Sequence, residues 1–203
     1  MTLPAFTLPR KNQGCIMQWV QLLTQQMRDL HHITNTGWGA IWDRPDCTNE
    51  AITYAAINLN DGLTHRERQR LWLFIERIIA CTRTTADDRI NVRLVRWCLT
   101  DDRWTHVIID EDEEETADYF IAEFDKWLID PADSDIEYQA QGVAEAVGIA
   151  ATSVARTRRL SEDEKFDWFE ALLDQHEKAA AEEGVLHELE DAACQFADDY
   201  ATA

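Results

Sequence analysis

Breakers are scarce in this sequence. It has 7 glycines and 4 prolines in 203 residues, less than half of the roughly 12% that an average protein carries. That argues against a many-stranded β-protein, which needs frequent turns, and in favour of long helices. Long apolar runs are missing too. Nothing approaches the roughly 18–20 residues of a membrane span, and the stretch from Met1 to Lys11, interrupted by Pro4 and Pro9, has no apolar core of the targeting kind. The five cysteines, Cys15, Cys47, Cys81, Cys98 and Cys194, are widely spaced and form no Cys-x-x-Cys unit. A disulfide scaffold would be shorter and denser in cysteine. A reducing cytoplasm is therefore expected, with most thiols serving as small core hydrophobes.

Positive charge is scarce as well. Against 19 basic residues stand 39 acidic ones, giving a formal charge of −20 at pH 7. The imbalance is uneven: residues 1–100 carry a net +3 and residues 101–203 a net −23. Such an acidic chain repels phosphate backbones, so direct nucleic-acid binding is disfavoured. Hydrophobic residues nevertheless make up 45%, enough for a packed core rather than a disordered tail.

The apolar residues recur with the period of a helix. From Cys15 to Leu30 the stripe is Ile16, Trp19, Val20, Leu23, Met27 and Leu30. Thr48 is positioned to cap a helix bearing Ile52, Ala55, Ala56 and Leu59, with Gly62 at its end. Thr64 and Glu67 form a capping-box pair ahead of Leu71, Phe74, Ile75, Ile78 and Ile79. A fourth helix opens near Asp87 and carries Ile90, Leu94, Trp97 and Cys98.

In the second half, Tyr119, Phe120, Phe124, Trp127 and Leu128 are expected to line one buried face, ending at Asp130-Pro131. A small-residue stripe follows: Ile136, Ala140, Val143, Ala144, Val147, Ala151 and Val154, with Gly142 and Gly148 allowing another helix to approach closely. Ser161 and Glu164 pair as a second capping box before Phe169, Leu172 and Leu173, and Val185, Leu189, Ala192, Ala193, Phe196 and Tyr200 make the last stripe. Only Val107-Ile108-Ile109 resembles a strand, and it is too short to found a sheet. The expected fold is all-α, a compact bundle of about eight helices. It forms one domain or two packed helical halves, residues 1–99 and 100–203.

Gly14-Cys15-Ile16-Met17, Asp43-Arg44-Pro45-Asp46-Cys47, the helix ending in Asn60-Asp61 and the segment from Arg68 to Arg83 together resemble a group of small helical actinobacterial proteins. Some of that group are carried by phages or prophages. The resemblance spans roughly residues 12–98 and brings no catalytic residues with it. It implies a helical cytoplasmic protein of actinobacterial or phage origin. Residues 28–42 look like an insertion relative to the group, and the acidic second half departs from its Ala-rich continuation.

Few residues suggest chemistry. Cys15, at an expected helix N-terminus, is a weak catalytic candidate, since the helix dipole lowers a thiol pKa and His31, His32, His65 or His106 could act as base. No Gly-rich oxyanion element accompanies it, which favours a packing role. Cys15, Cys47, His31 and His32 match no zinc spacing, and the run Asp110 to Glu115 lacks the glycine and terminal glutamate of a calcium loop. No metal and no cofactor are expected. Trp38 and Trp42 flank Gly37 and Gly39 in an aperiodic loop, as either a partner anchor or an internal plug.

The acidic half, with Glu113, Glu114 and Glu115 at its densest run, exceeds the net charge of roughly 2–8 that solubility asks of a small domain. Its field attracts basic proteins, including DNA-binding proteins whose phosphate site it could mimic. The expected function is thus a non-enzymatic interaction protein for a basic host or self protein. The alternatives are a Cys15-dependent enzyme or a self-associating protein that buries the small-residue stripe against a second copy, as a homo-oligomer.

Overall fold

Asn49 opens the first helix and ties three elements together. The computed structural model describes residues 48–109, 114–134 and 140–190. In it the side chain of Asn49 accepts the amide N–H of Ile52 and caps α1, Glu50–Gly62. The backbone N–H of Asn49 donates to the Cys81 carbonyl at 2.8 Å, and its side-chain amide donates to Asn91 Oδ1 at 2.9 Å. The cap is one residue beyond the expected Thr48, which instead forms an isolated bridge with Thr82. Both are good capping residues; the bridge takes Thr48 and leaves Asn49 to the helix.

The Thr64–Glu67 capping box is present and starts α2, His65–Arg68. The expected single helix does not follow. Gln69–Phe74 winds as a 3₁₀ helix before α3, Ile75–Ala80. Leu71, Ile75 and Ile78 are buried as the pattern requires. The two windings differ by only about 20° per residue, too little for an apolar stripe to register.

α4, Asp87–Thr100, buries Ile90, Leu94 and Cys98. The strand-like residues Val107 and Ile108 lie instead in a single helical turn, α5, Thr105–Ile108. Three residues without a neighbouring strand have no ladder to join, and the amide N–H groups of Val107 and Ile108 donate to the Trp104 carbonyl. α6, Glu114–Ile129, buries Ala117, Glu123, Phe124 and Trp127. Tyr119 and Phe120, expected on that face, are instead exposed at 49% and 41%. The buried stripe passes through Ala117, which leaves their side of the first turns to solvent.

α7, Ala140–Arg156, buries Val143, Ala144, Val147, Ala151 and Val154. Its small-residue face lies against α1. A Cβ on Gly148 would come within 2.7 Å of Asn58 Nδ2, and one on Gly62 within 2.5 Å of Ala155 Cβ. Polar contacts fix the register of this crossing: Tyr54 donates to Glu145 at 3.1 Å and Thr152 to Asn58 Oδ1 at 3.1 Å. α8, Glu162–Glu182, carries the second capping box, Ser161 with Glu164. It buries Phe166, Trp168, Phe169, Leu172 and Leu173.

Among the described residues the fold is all-α with eight α-helices and no strand. Residues on both sides of position 100 share one hydrophobic cluster, from Ala51 and Ile52 to Phe169 and Leu172. None of these helices is long and apolar enough to cross a membrane.

Candidate protein-interaction surface

Of the residues singled out by sequence, Cys15, Trp38, Trp42 and Glu113 lie outside the described residues. So do Cys47, His31 and His32. Glu114 and Glu115 form the first turn of α6 and are exposed, where the positive end of the helix dipole favours them. Cys81 and Cys98 are buried. Burial drives both thiols above their ordinary range, Cys81 to about 12, so at neutral pH they behave as apolar groups. Among the described residues no cluster of three or more His, Cys, Asp or Glu side chains is arranged to hold a metal ion.

The acidic helices meet cations that the charge count of their own half omits. Arg70 reaches Glu162 at 3.2 Å and Asp163 at 2.6 Å. Arg77 pairs with Glu170 at 3.1 Å and also with Asp174. On α4, Arg89, Arg93 and Arg96 recur at helical spacing along one side. Arg89 and Arg93 both hold Glu183, at 2.5 and 2.6 Å, and Arg96 holds Asp125 at 2.5 Å. Arg89 also donates to the Leu128 carbonyl at 2.5 Å.

Burial works against ionising Glu183, but the bonds from Arg89 and Arg93 outweigh it and bring the carboxyl below its ordinary value. Lys165, nearly buried, reaches Glu67 at 3.5 Å. The mild positive excess of residues 1–100 thus serves as an internal counter-charge for one side of α8 and part of α6. The spacing Arg89-x₃-Arg93-x₂-Arg96 was the sequence signal for it.

Other carboxylates remain outward. Glu114, Glu115 and Asp118 on α6, and Asp167 and Glu177 on α8, are exposed and make no ion pair among the described residues. Tyr119 lies one turn on from Glu115, its ring edge to face with that of Phe120 at 5.5 Å, and Phe120 stacks on Phe124 at 6.2 Å. These two rings were the surface feature missed at the sequence level, because an aromatic pair beside Phe124 and Trp127 reads as core.

His176, on α8, is buried, and its Nε2 has no hydrogen-bond partner among the described residues. Burial lowers its pKa to about 4, so it is neutral in the folded protein. Comparison with known proteins finds no matching family model, no matching curated protein and no matching solved structure.

Proposed function

We propose that this is a non-enzymatic acidic interaction protein whose outward carboxylates bind a basic protein of the host or of its own system. One observation carries the reading. Even after five arginines of residues 70–96 have taken up carboxylates of α6, α8 and the α8 C-cap Glu183, Glu114, Glu115, Asp118, Asp167 and Glu177 remain exposed and have no cationic partner among the described residues. A surface kept for solubility alone has no need of so many, given the net −20 of the chain. Imitation of DNA is the narrower form of the reading, in which the carboxylates occupy a partner's phosphate site. Self-association through the small-residue stripe receives less support, since α1 lies against that stripe.

The test is affinity capture from an actinobacterial extract, followed by association kinetics at low and high salt with free DNA as competitor. The captured partners are expected to be basic and to associate far more slowly as the screening length shrinks from about 10 Å at 0.1 M to about 3 Å at 1 M salt. Reversing Glu113, Glu114 and Glu115 to Lys is expected to lower the on-rate with helix content unchanged. Partners that stay bound in 1 M salt and tolerate the reversal would reduce the acidic surface to a solubilising coat. DNA competition distinguishes the mimic from a general acidic surface.

A further inference from the structure

The start of α8 displays how this protein itself seats an arginine. Glu162 and Asp163 of the first turn take the Arg70 guanidinium at 3.2 and 2.6 Å. The same guanidinium lies over the Phe166 ring, 4.4 Å from its centroid. Glu162 and Phe166 are four residues apart and therefore share a helix face, so one cation satisfies the charge and covers the ring together.

α6 repeats the spacing with no cation beside it among the described residues. Glu115 and Tyr119 have the same four-residue spacing, and Glu114 and Asp118 have it again on the adjoining face. The three carboxylates are exposed, and the Tyr119 ring, 49% exposed, borders their face one turn on from Glu115, with the 41%-exposed Phe120 ring on its far side. No ion pair and no cation–π contact reaches this face among the described residues.

Covering the rings with an apolar partner would take neighbouring carboxylates out of water without a counter-charge, which is costly. A lysine ammonium would supply the charge but remain strongly hydrated. A guanidinium is planar and weakly hydrated, and it can stack on a ring and donate to a carboxylate at once. We infer that the α6 face formed by Glu114, Glu115, Asp118 and Tyr119 docks an arginine-bearing segment of a basic partner protein. This rests on the acidic-surface reading and adds the location and the preferred cation.

The test titrates the full chain with two labelled synthetic peptides that differ only in carrying arginine or lysine at every basic position. The arginine peptide is expected to bind about threefold to fivefold more tightly, the range that a stacked cation at an exposed ring supplies. Tyr119→Leu should abolish that preference while leaving lysine-peptide affinity nearly unchanged, and Tyr119→Phe should keep it. Glu115→Gln should weaken both peptides. Far-UV circular dichroism checks that each variant retains its helix.

Equal binding of the two peptides to the unaltered chain, or an arginine preference that survives Tyr119→Leu, overturns the docking site. Salt-sensitive binding of both peptides in that case leaves the acidic-surface reading standing. If neither peptide binds at low salt, both readings fall. A concentration-dependent dimer that Tyr119→Leu dissolves would give the face to a second copy and overturn the inference.

Discussion

The first turns of α6 and α8 are chemically close relatives, each with acidic residues followed by an aromatic ring, yet they occupy opposite situations. In α8, Phe166 is buried and stacks near Phe74, with ring centroids 6.0 Å apart, while Arg70 takes the carboxylates. In α6, Glu114, Glu115 and Tyr119 face solvent, and among the described residues the Tyr119 ring meets Phe120 and, through it, Phe124. The difference lies in what the rest of the chain brings. The 3₁₀ helix Gln69–Phe74 lays an arginine and a phenylalanine across the start of α8, and no described element does so for the start of α6. An acidic–aromatic turn is therefore a structural joint in one place and an open surface in the other. Sequence spacing does not distinguish them.

The largest break in the comparison should come from the rings. Phe169→Ala, which removes a fully buried ring of α8, is expected to cost about 3–5 kcal/mol. Tyr119→Ala in α6 should stay within about 0.5 kcal/mol. Urea titrations of both variants check this, and a comparable loss for Tyr119→Ala would place that ring in the core after all.

His176 sharpens the contrast through pH. Its pKa is about 4 in the fold and about 6.5 in an unfolded chain. Its contribution is therefore complete above pH 6.5. Below that the unfolded state binds the proton the folded state refuses, so stability falls as pH drops toward 4, by up to about 3 kcal/mol. Thermal unfolding followed from pH 7 to 4.5 should have a shallower slope in His176→Gln than in the parent. Parallel slopes would mean that the imidazole is not held neutral by burial.

A smaller effect is expected where α4 joins α8. Glu183→Gln leaves Arg89 and Arg93 without the carboxylate they share. Both arginines are about one-third exposed, so solvent and salt recover part of the loss, and about 1–2 kcal/mol is expected. High salt should shrink the gap between variant and parent. An unchanged unfolding midpoint at low salt would show that the pair adds nothing to the joint.

Much of the helical architecture was legible. Both capping boxes, Thr64–Glu67 and Ser161–Glu164, follow from spacing alone because their partners lie three residues apart. The small-residue stripe of α7 announced a close helix neighbour, and Gly148 has one. The identity of that neighbour was not legible, because α1 is some ninety residues away in sequence. Thr48 against Asn49 turned on a bridge to Thr82, and the inward assignment of Tyr119 and Phe120 failed because a helical period locates a stripe but not which part of it is covered. Of the candidate site, Glu114 and Glu115 emerged as exposed helix-start residues, while the rings beside them were visible only in three dimensions.

The amino-acid sequence by itself determined the class of fold, the positions of most helix starts, the net charge of −20 and its concentration in residues 101–203. Propensity, capping and charge are properties of residues and near neighbours, so they survive without a fold. Tertiary structure alone decided which carboxylates are consumed by Arg70, Arg77, Arg89, Arg93 and Arg96, and which stay exposed. Ion pairing, burial and the covering of a ring depend on residues brought together from distant parts of the chain, and no local pattern carries that information.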